Sequence, residues 1–326
     1  MALNGDHPVL RLAAQGVHIR TPERQDRPRE RAVTDLILFH LCPRNAHFFS
    51  EGRYPSHTPP AVIGLILHRT IKHLHGRYLA AQLKGDAHWM PDEQTVLEEC
   101  RIVEEATRLQ GLPQLFPDQR EQLQHMLSTF HTLEAAWLYP RIQAAEVPLS
   151  WVWEQAPGGP ILLEGTVDVV FLQQGENQQP GIALWDYKTG KAPQRGSPEL
   201  RSYEQQMKLY AFLYRRCFNV SPQVTALYFM RELVKKTPLT ARPTRALYQV
   251  PVTDDDDEDI LEWLGDVLTK EVACEEQNQW DPPPPGEVPQ QTCRNCGVQW
   301  SCPSFKQPFP WEPGGEVDDA QDPLDL

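Results

Sequence analysis

The sequence has no long hydrophobic run. Its longest apolar stretch, Ala61 to Leu67, falls far short of the ~20 residues a membrane-spanning helix needs. The first residues, MALNGDHPVLRL, lack a charged-then-apolar signal pattern, and the expectation is a soluble, cytoplasmic protein without a membrane partner. There is no Gly-x-x-x-x-Gly-Lys-[Ser/Thr] loop, which excludes a nucleotide-driven motor of that type in this chain. No internal repeat is visible, which argues against a solenoid. The cysteines number seven, an odd count with no secretory signal before it, so a disulfide framework is not expected. Positive charge is also short: 31 Lys and Arg stand against 44 Asp and Glu, a net charge of −13. With 326 residues the chain can bury a sizeable core, as one large or two modest domains.

What is there concentrates between Leu163 and Tyr210. Residues 161–172 (ILLEGTVDVVFL) and the approach to Trp185 are rich in Val, Leu and Ile and read as strands. Residues two apart in a strand share a face, so Asp186 and Lys188 point one way while Trp185 and Tyr187 point the other. On the earlier strand Glu164, Thr166, Asp168 and Val170 share a face. If the two strands pair, Asp168 lies beside Asp186. Two half-buried carboxylates repel each other and lose hydration, so something positive must offset them. A hard divalent cation such as Mg²⁺ fits, because it takes carboxylate oxygens and keeps waters. Lys188 would then stand next to that cation. Gln206 and Tyr210, four apart on the following helix, share a face.

The cysteines supply a second signal. Cys293-x-x-Cys296 followed by Cys302 has metal-ligand spacing, and Cys42-Pro43 and Cys302-Pro303 are both Cys-Pro pairs. A zinc site and an iron–sulfur cluster use the same four-cysteine set. Cys100, Cys217 and Cys274 read as ordinary core or surface thiols.

Gly165-x-x-Asp168, then Asp186-Tyr187-Lys188-Thr189-Gly190, then Gln206-x-x-x-Tyr210 resembles the PD-(D/E)XK nuclease superfamily. Within it the order resembles the RecB-like branch, which includes the nuclease domains of RecB and AddB and the iron–sulfur exonucleases of CRISPR adaptation. The resemblance implies a restriction-endonuclease-like α/β fold: a mixed central sheet flanked by helices, with an iron–sulfur cluster joining the N- and C-terminal segments. It implies Mg²⁺ or Mn²⁺ on Asp168, Asp186, the Tyr187 carbonyl and a histidine on an N-terminal helix. Gly64-x-x-x-His68 fits that histidine, where a glycine lets the helix approach the sheet. His73 and His75 lack such a glycine. It implies catalytic roles for Asp168, Asp186, Lys188, Gln206 and Tyr210. It further implies a [4Fe–4S] cluster on Cys42, Cys293, Cys296 and Cys302, with Zn²⁺ as the alternative.

The expected organisation has a flexible arm (1–30) and a nuclease domain (31–307). That domain carries a helical insertion (85–147) roofing the cleft and a cysteine loop (290–303). An acidic, disordered tail (308–326) follows. Strands are expected at 149–155, 161–172, 181–188, 223–231 and 246–252, and helices at 199–217 and 257–276. Charge segregates: from Trp185 to Leu247 twelve Lys and Arg stand against four Asp and Glu, whereas nineteen acids follow from Asp254 onward. Arg195, Arg201, Lys208, Arg215 and Arg216 are expected where a phosphate backbone would lie. The acids at 254–259 fit a helix N-terminus. The implied activity is a metal-dependent deoxyribonuclease, an exonuclease on single-stranded DNA ends, in DNA repair, recombination or CRISPR and phage defence. The alternatives are a subunit active only with a separate helicase or CRISPR adaptation partner, and a non-catalytic iron–sulfur or zinc DNA-binding module. Cleavage with and without EDTA discriminates the enzyme from the module.

Overall fold

The computed structural model describes residues 28–305 apart from 53–58, 87, 175–179, 236, 254–255, 286, 290–291, 294–295 and 297. In chain order the principal elements are β1 (Arg29–Ala32), α1 (Val33–Leu41), α2 (Pro43–Ser50), α3 (Pro59–Leu83), α4 (Glu93–Leu109), α5 (Pro117–Leu138), β2 (Ile142–Trp153) and β3 (Ile161–Gln174). β4 (Pro180–Lys188), α6 (Pro198–Phe218), β5 (Val224–Phe229), β6 (Leu247–Val250) and α7 (Asp256–Gln277) follow.

β3 organises the sheet. One edge pairs antiparallel with β2 along nearly its whole length. The other edge is shared: β1 runs parallel to Ile161–Glu164, and β4 runs antiparallel to Val169–Gln174. β4 then pairs parallel with β5, and β5 antiparallel with β6. The parallel β4–β5 pair requires a crossover, and α6 provides it. β4 is buried on both faces over most of its length, so it reads as a continuous apolar run rather than as an alternation.

Each face of the sheet carries its own core. On one side α3, α4 and α5 pack over Phe171, Trp185, Tyr187 and Tyr228. On the other, α1, α6 and α7 pack over Leu184 and Leu227, with Phe212 and Leu264 among the contacts. The expected mixed sheet flanked by helices is present. Local signals set the helix ends. Ser197 caps α6 by accepting from Leu200 N–H, with Pro198 in its first turn. Asn219, at φ 54°, closes the same helix. Pro43 stops α1 and starts α2, leaving Cys42 extended between them.

Three expectations change. Residues 29–30, assigned to the arm, begin β1. The 85–147 segment does contain α4 and α5, but it ends in strand from Ile142 onward. Nor is it a roof: Val103, Met126 and Phe130 lie in the same buried cluster as Phe171 and Trp185, so α4 and α5 form a full layer of the fold. Residues 1–27 of the arm and the tail lie outside the described residues. Among the described residues no helix is long and apolar enough to cross a membrane.

Candidate active site and candidate metal centre

The β3–β4 ladder stops at Val169↔Trp185, yet both strands run on. The next opposed residues in that register are Asp168 and Asp186, left where the strands part. Asp168 is held on both oxygens. Tyr187 N–H donates to Oδ2 at 2.7 Å, and His68 Nδ1, reaching in from α3, lies 3.3 Å from Oδ1. Asp186 is 5 % exposed. Its Oδ2 stands 2.9 Å from Lys188 Nζ and has no hydrogen-bond partner beyond that ion-pair contact.

Lys188 is fixed from several sides. Nζ donates to Gln206 Oε1 at 2.7 Å and lies 4.7 Å from the Tyr203 ring centroid. Gln206 Nε2 in turn donates to Tyr210 Oη at 2.8 Å. Both residues sit on one face of α6, and that helix lies close over β3: a Cβ on Gly165 would come within 2.9 Å of Tyr210 Cε1. Gly64 plays the parallel part for α3, where a Cβ would meet Thr189 Oγ1 at 3.2 Å. The glycine one turn before His68 thus lets α3 come down onto the end of β4.

Burial opposes charge on His68, but the Asp168 carboxylate, by charge and by hydrogen bond, outweighs it and raises the imidazole pKa. Burial likewise pushes Asp168 up. The His68 charge and hydrogen bond, then the Tyr187 N–H, outweigh it and leave Asp168 below the usual carboxylate range. For Asp186 burial prevails over Lys188, and the neighbouring Asp168 adds to it, so its pKa rises. The other two histidines of α3 are placed elsewhere. His73 pairs with Glu99, 3.0 Å away. His75 is buried against Tyr139 and Tyr187, and burial pushes its pKa down to about 3. The Tyr187 ring enters the first core against Phe130 and Tyr228, while its peptide flanks the two carboxylates.

The sequence reading missed Glu146. Its carboxylate belongs with His68 and Asp168 to a group whose ligand atoms all lie within 4.8 Å of one another. It stands in β2 at φ 51°. Burial and the Asp168 charge raise its pKa, against a smaller pull from Lys72. The β2–β3 register exposes it, whereas the sequence reading places it at the end of a helical insertion (85–147).

The four expected cysteines converge. Cys42, Cys293, Cys296 and Cys302 line one small pocket, together with Asn45, Val288, Thr292, Gln299 and Phe305. Burial pushes the Cys42 thiol up to about 11; the Asn45 N–H pulls the other way, and the three other sulfurs add to the rise. Cys100 is buried, Cys274 is half-buried and Cys217 is exposed, all outside this pocket.

The basic stretch departs from expectation. Lys208 pairs with Asp256 at 3.3 Å, and Arg215 and Arg216 both pair with Asp257. The acidic first turn of α7 therefore neutralises three of the five residues expected to meet phosphate.

A family model described as the PD-(D/E)XK nuclease superfamily matches residues 31–303. The chain is 27 % identical over 150 residues to the Gene 69 protein of Mycobacterium phage D29, covering 45 % of this chain and 44 % of that protein. It thus spans less than half the length of that relative. The solved structure of SSO0001 is similar over 92 % of this chain and 96 % of that one, at 13 % identity and a TM-score of 0.42, a likeness too loose to carry an argument. The family match takes in the parted strands, the Asp-x-Lys segment and the cysteine pocket alike, and the chain belongs to the PD-(D/E)XK nuclease superfamily.

Proposed function

We propose that the protein is a metal-dependent deoxyribonuclease of the RecB-like branch that hydrolyses single-stranded DNA from its ends. The observation that carries this reading is the pair Asp168 and Asp186 at the parting of β3 and β4, with Lys188 held beside them. The residues fit Mg²⁺ or Mn²⁺: carboxylate oxygens and one imidazole suit a hard divalent ion, and Asp186 Oδ2 is buried with no hydrogen bond beyond the Lys188 contact. Bound there, such an ion would polarise the scissile phosphate and acidify a water. His68, Asp168 and Asp186 would hold it.

The chain's own residues do the rest. Tyr187 N–H fixes the Asp168 carboxylate. Gln206 gives Nε2 to Tyr210, which leaves Oε1 for Lys188, so the amide orientation is set from α6. Lys188, pinned between Asp186 and Gln206, orients the attacking water and meets the negative charge that develops on the phosphate.

The four cysteines are assigned a [4Fe–4S] cluster. The support is their convergence on one pocket; a tetrahedral zinc would use the same four-cysteine set.

The test is cleavage of end-labelled single- and double-stranded DNA, with free and blocked ends, in Mg²⁺, in Mn²⁺ and in EDTA. Free single-stranded ends should be shortened only with metal. Asp186→Asn and Lys188→Ala should each reduce cleavage to background with an unchanged melting curve. A Lys188→Ala protein that cuts at the wild-type rate refutes the mechanism, and equal cutting of blocked ends refutes the exonuclease assignment.

A further inference from the structure

Glu146 has no counterpart among the motif residues His68, Asp168, Asp186, Lys188, Gln206 and Tyr210, and its setting is costly without a partner. Ala145 pairs with Val169 and Val147 with Val167, so Glu146 faces Asp168 directly across the β2–β3 pair. Like charges at opposed positions destabilise a sheet. The backbone there adds to the cost: a left-handed φ of 51° on a non-glycine residue is strained and persists only where its surroundings enforce it. The counter-charges at hand are Lys72 and His68, the latter shared with Asp168. Lys72 Nζ lies 3.5 Å from Glu146 Oε2 with its side chain half exposed, and ion pairs of that kind contribute little.

We propose that Glu146 is a further metal-binding residue of this site, holding the divalent cation together with His68 and Asp168. The inference rests on the nuclease reading above and adds to it a ligand that the sequence motif does not contain. Three donors of the right types come within 4.8 Å of one another: one imidazole nitrogen and two carboxylate oxygens. Beside them the buried Asp186 Oδ2 makes no hydrogen bond beyond its contact with Lys188 Nζ. A cation removes the repulsion between Glu146 and Asp168 and gives the left-handed turn in β2 a purpose, since that turn sets Glu146 against Asp168. Lys72, on a solvent-exposed stem, can give way.

The experiment compares wild-type protein with Glu146→Gln, Glu146→Gly and Lys72→Ala, without DNA, by Mn²⁺ titration followed by electron paramagnetic resonance. Thermal melts with and without Mn²⁺ run alongside. Glutamine keeps the shape and removes the charge; glycine also accepts the positive φ. Both Glu146 variants should bind Mn²⁺ roughly tenfold more weakly or worse, a loss of the size that even supporting partners of a metal site cause. Their Mn²⁺-induced rise in Tm should shrink to match. Metal-free Glu146→Gly should melt at or above the wild-type temperature. Lys72→Ala should bind Mn²⁺ at least as tightly as wild type. Unchanged Mn²⁺ affinity in Glu146→Gln overturns the proposal, and so does an equal loss in Lys72→Ala, which would make the ion pair the purpose of Glu146. Wild-type protein that binds no Mn²⁺ sinks the nuclease reading and this inference with it. Wild-type protein that binds and cleaves beside an unaltered Glu146→Gln sinks this inference alone.

Discussion

At the residue scale the site is a relay of orientation running from α6 to the carboxylates. Tyr210 fixes Gln206, Gln206 fixes Lys188, and Lys188 stands against Asp186. The contributions should fall off along that line. Gln206→Leu removes the acceptor that holds Lys188 and should lower kcat by about 10²-fold, near the low end for loss of one preorganised group. Tyr210→Phe removes one hydroxyl behind it and should cost less than tenfold. Single-turnover cleavage of labelled DNA measures both, and a Tyr210→Phe loss as large as that of Gln206→Leu would show that Tyr210 acts directly. Most of this relay was legible in the sequence, because each member sits at a fixed offset in a strand or helix: two apart in β4, four apart in α6. Glu146 was not legible. Nothing local marks it, and its proximity to Asp168 arises from a strand pairing that only tertiary structure supplies.

At the element scale two glycines at helix–sheet contacts, Gly165 in β3 and Gly64 in α3, show how closely the helices are drawn in. Gly165 has Tyr210 at 2.9 Å from the place a Cβ would occupy. Gly165→Ala should therefore push α6 outward. Overpacking of this kind costs about 1–3 kcal/mol, which for a domain of this size is about 2–4 °C in Tm for each kcal/mol. Because α6 carries Gln206 and Tyr210, cleavage should fall as well, even though Gly165 touches no substrate. A differential scan and a cleavage assay on one preparation test this, and an unshifted Tm would mean that Tyr210 can move aside. The sequence made α6, β3 and β4 readable through capping, apolar runs and Gly-x-x-Asp. It concealed β1 and the first half of β2. β1 is four residues long and charged (RERA), stabilised by pairing with β3 rather than by its own propensity. β2 begins a few residues after a long amphipathic helix, so the change of period from 3.6 to 2 falls between overlapping windows.

At the scale of the whole molecule the two ends of the domain are fastened together twice. Arg29 and Arg31, on the first strand, pair with Glu275 and Glu271 on the last helix. Beyond that helix Trp280 stacks on His47 of α2 at 4.6 Å and leads the chain back to the pocket where Cys42 meets Cys293, Cys296 and Cys302. The two fastenings differ in strength. The pairs to Glu275 are partly exposed, and such pairs contribute little; the Arg31–Glu271 pair is more enclosed. A metal centre linking Cys42 to Cys293 closes a loop of about 250 residues, worth about 5 kcal/mol in the loop-entropy picture. The cysteines should therefore dominate the stability of the assembled domain. Anaerobically purified protein should be brown and carry about four irons per chain. Cys42→Ser should lose both colour and iron and melt well below wild type. Arg31→Ala should keep its iron and melt within a few degrees of wild type. Cys217→Ser, altering an exposed thiol away from the pocket, should match wild type in colour, iron and Tm. Colourless protein holding stoichiometric zinc would replace the iron assignment and leave the fastening in place. Cys42→Ser that melts with wild type would remove the fastening itself, because joining the ends could then contribute no more than the arginine pairs already do.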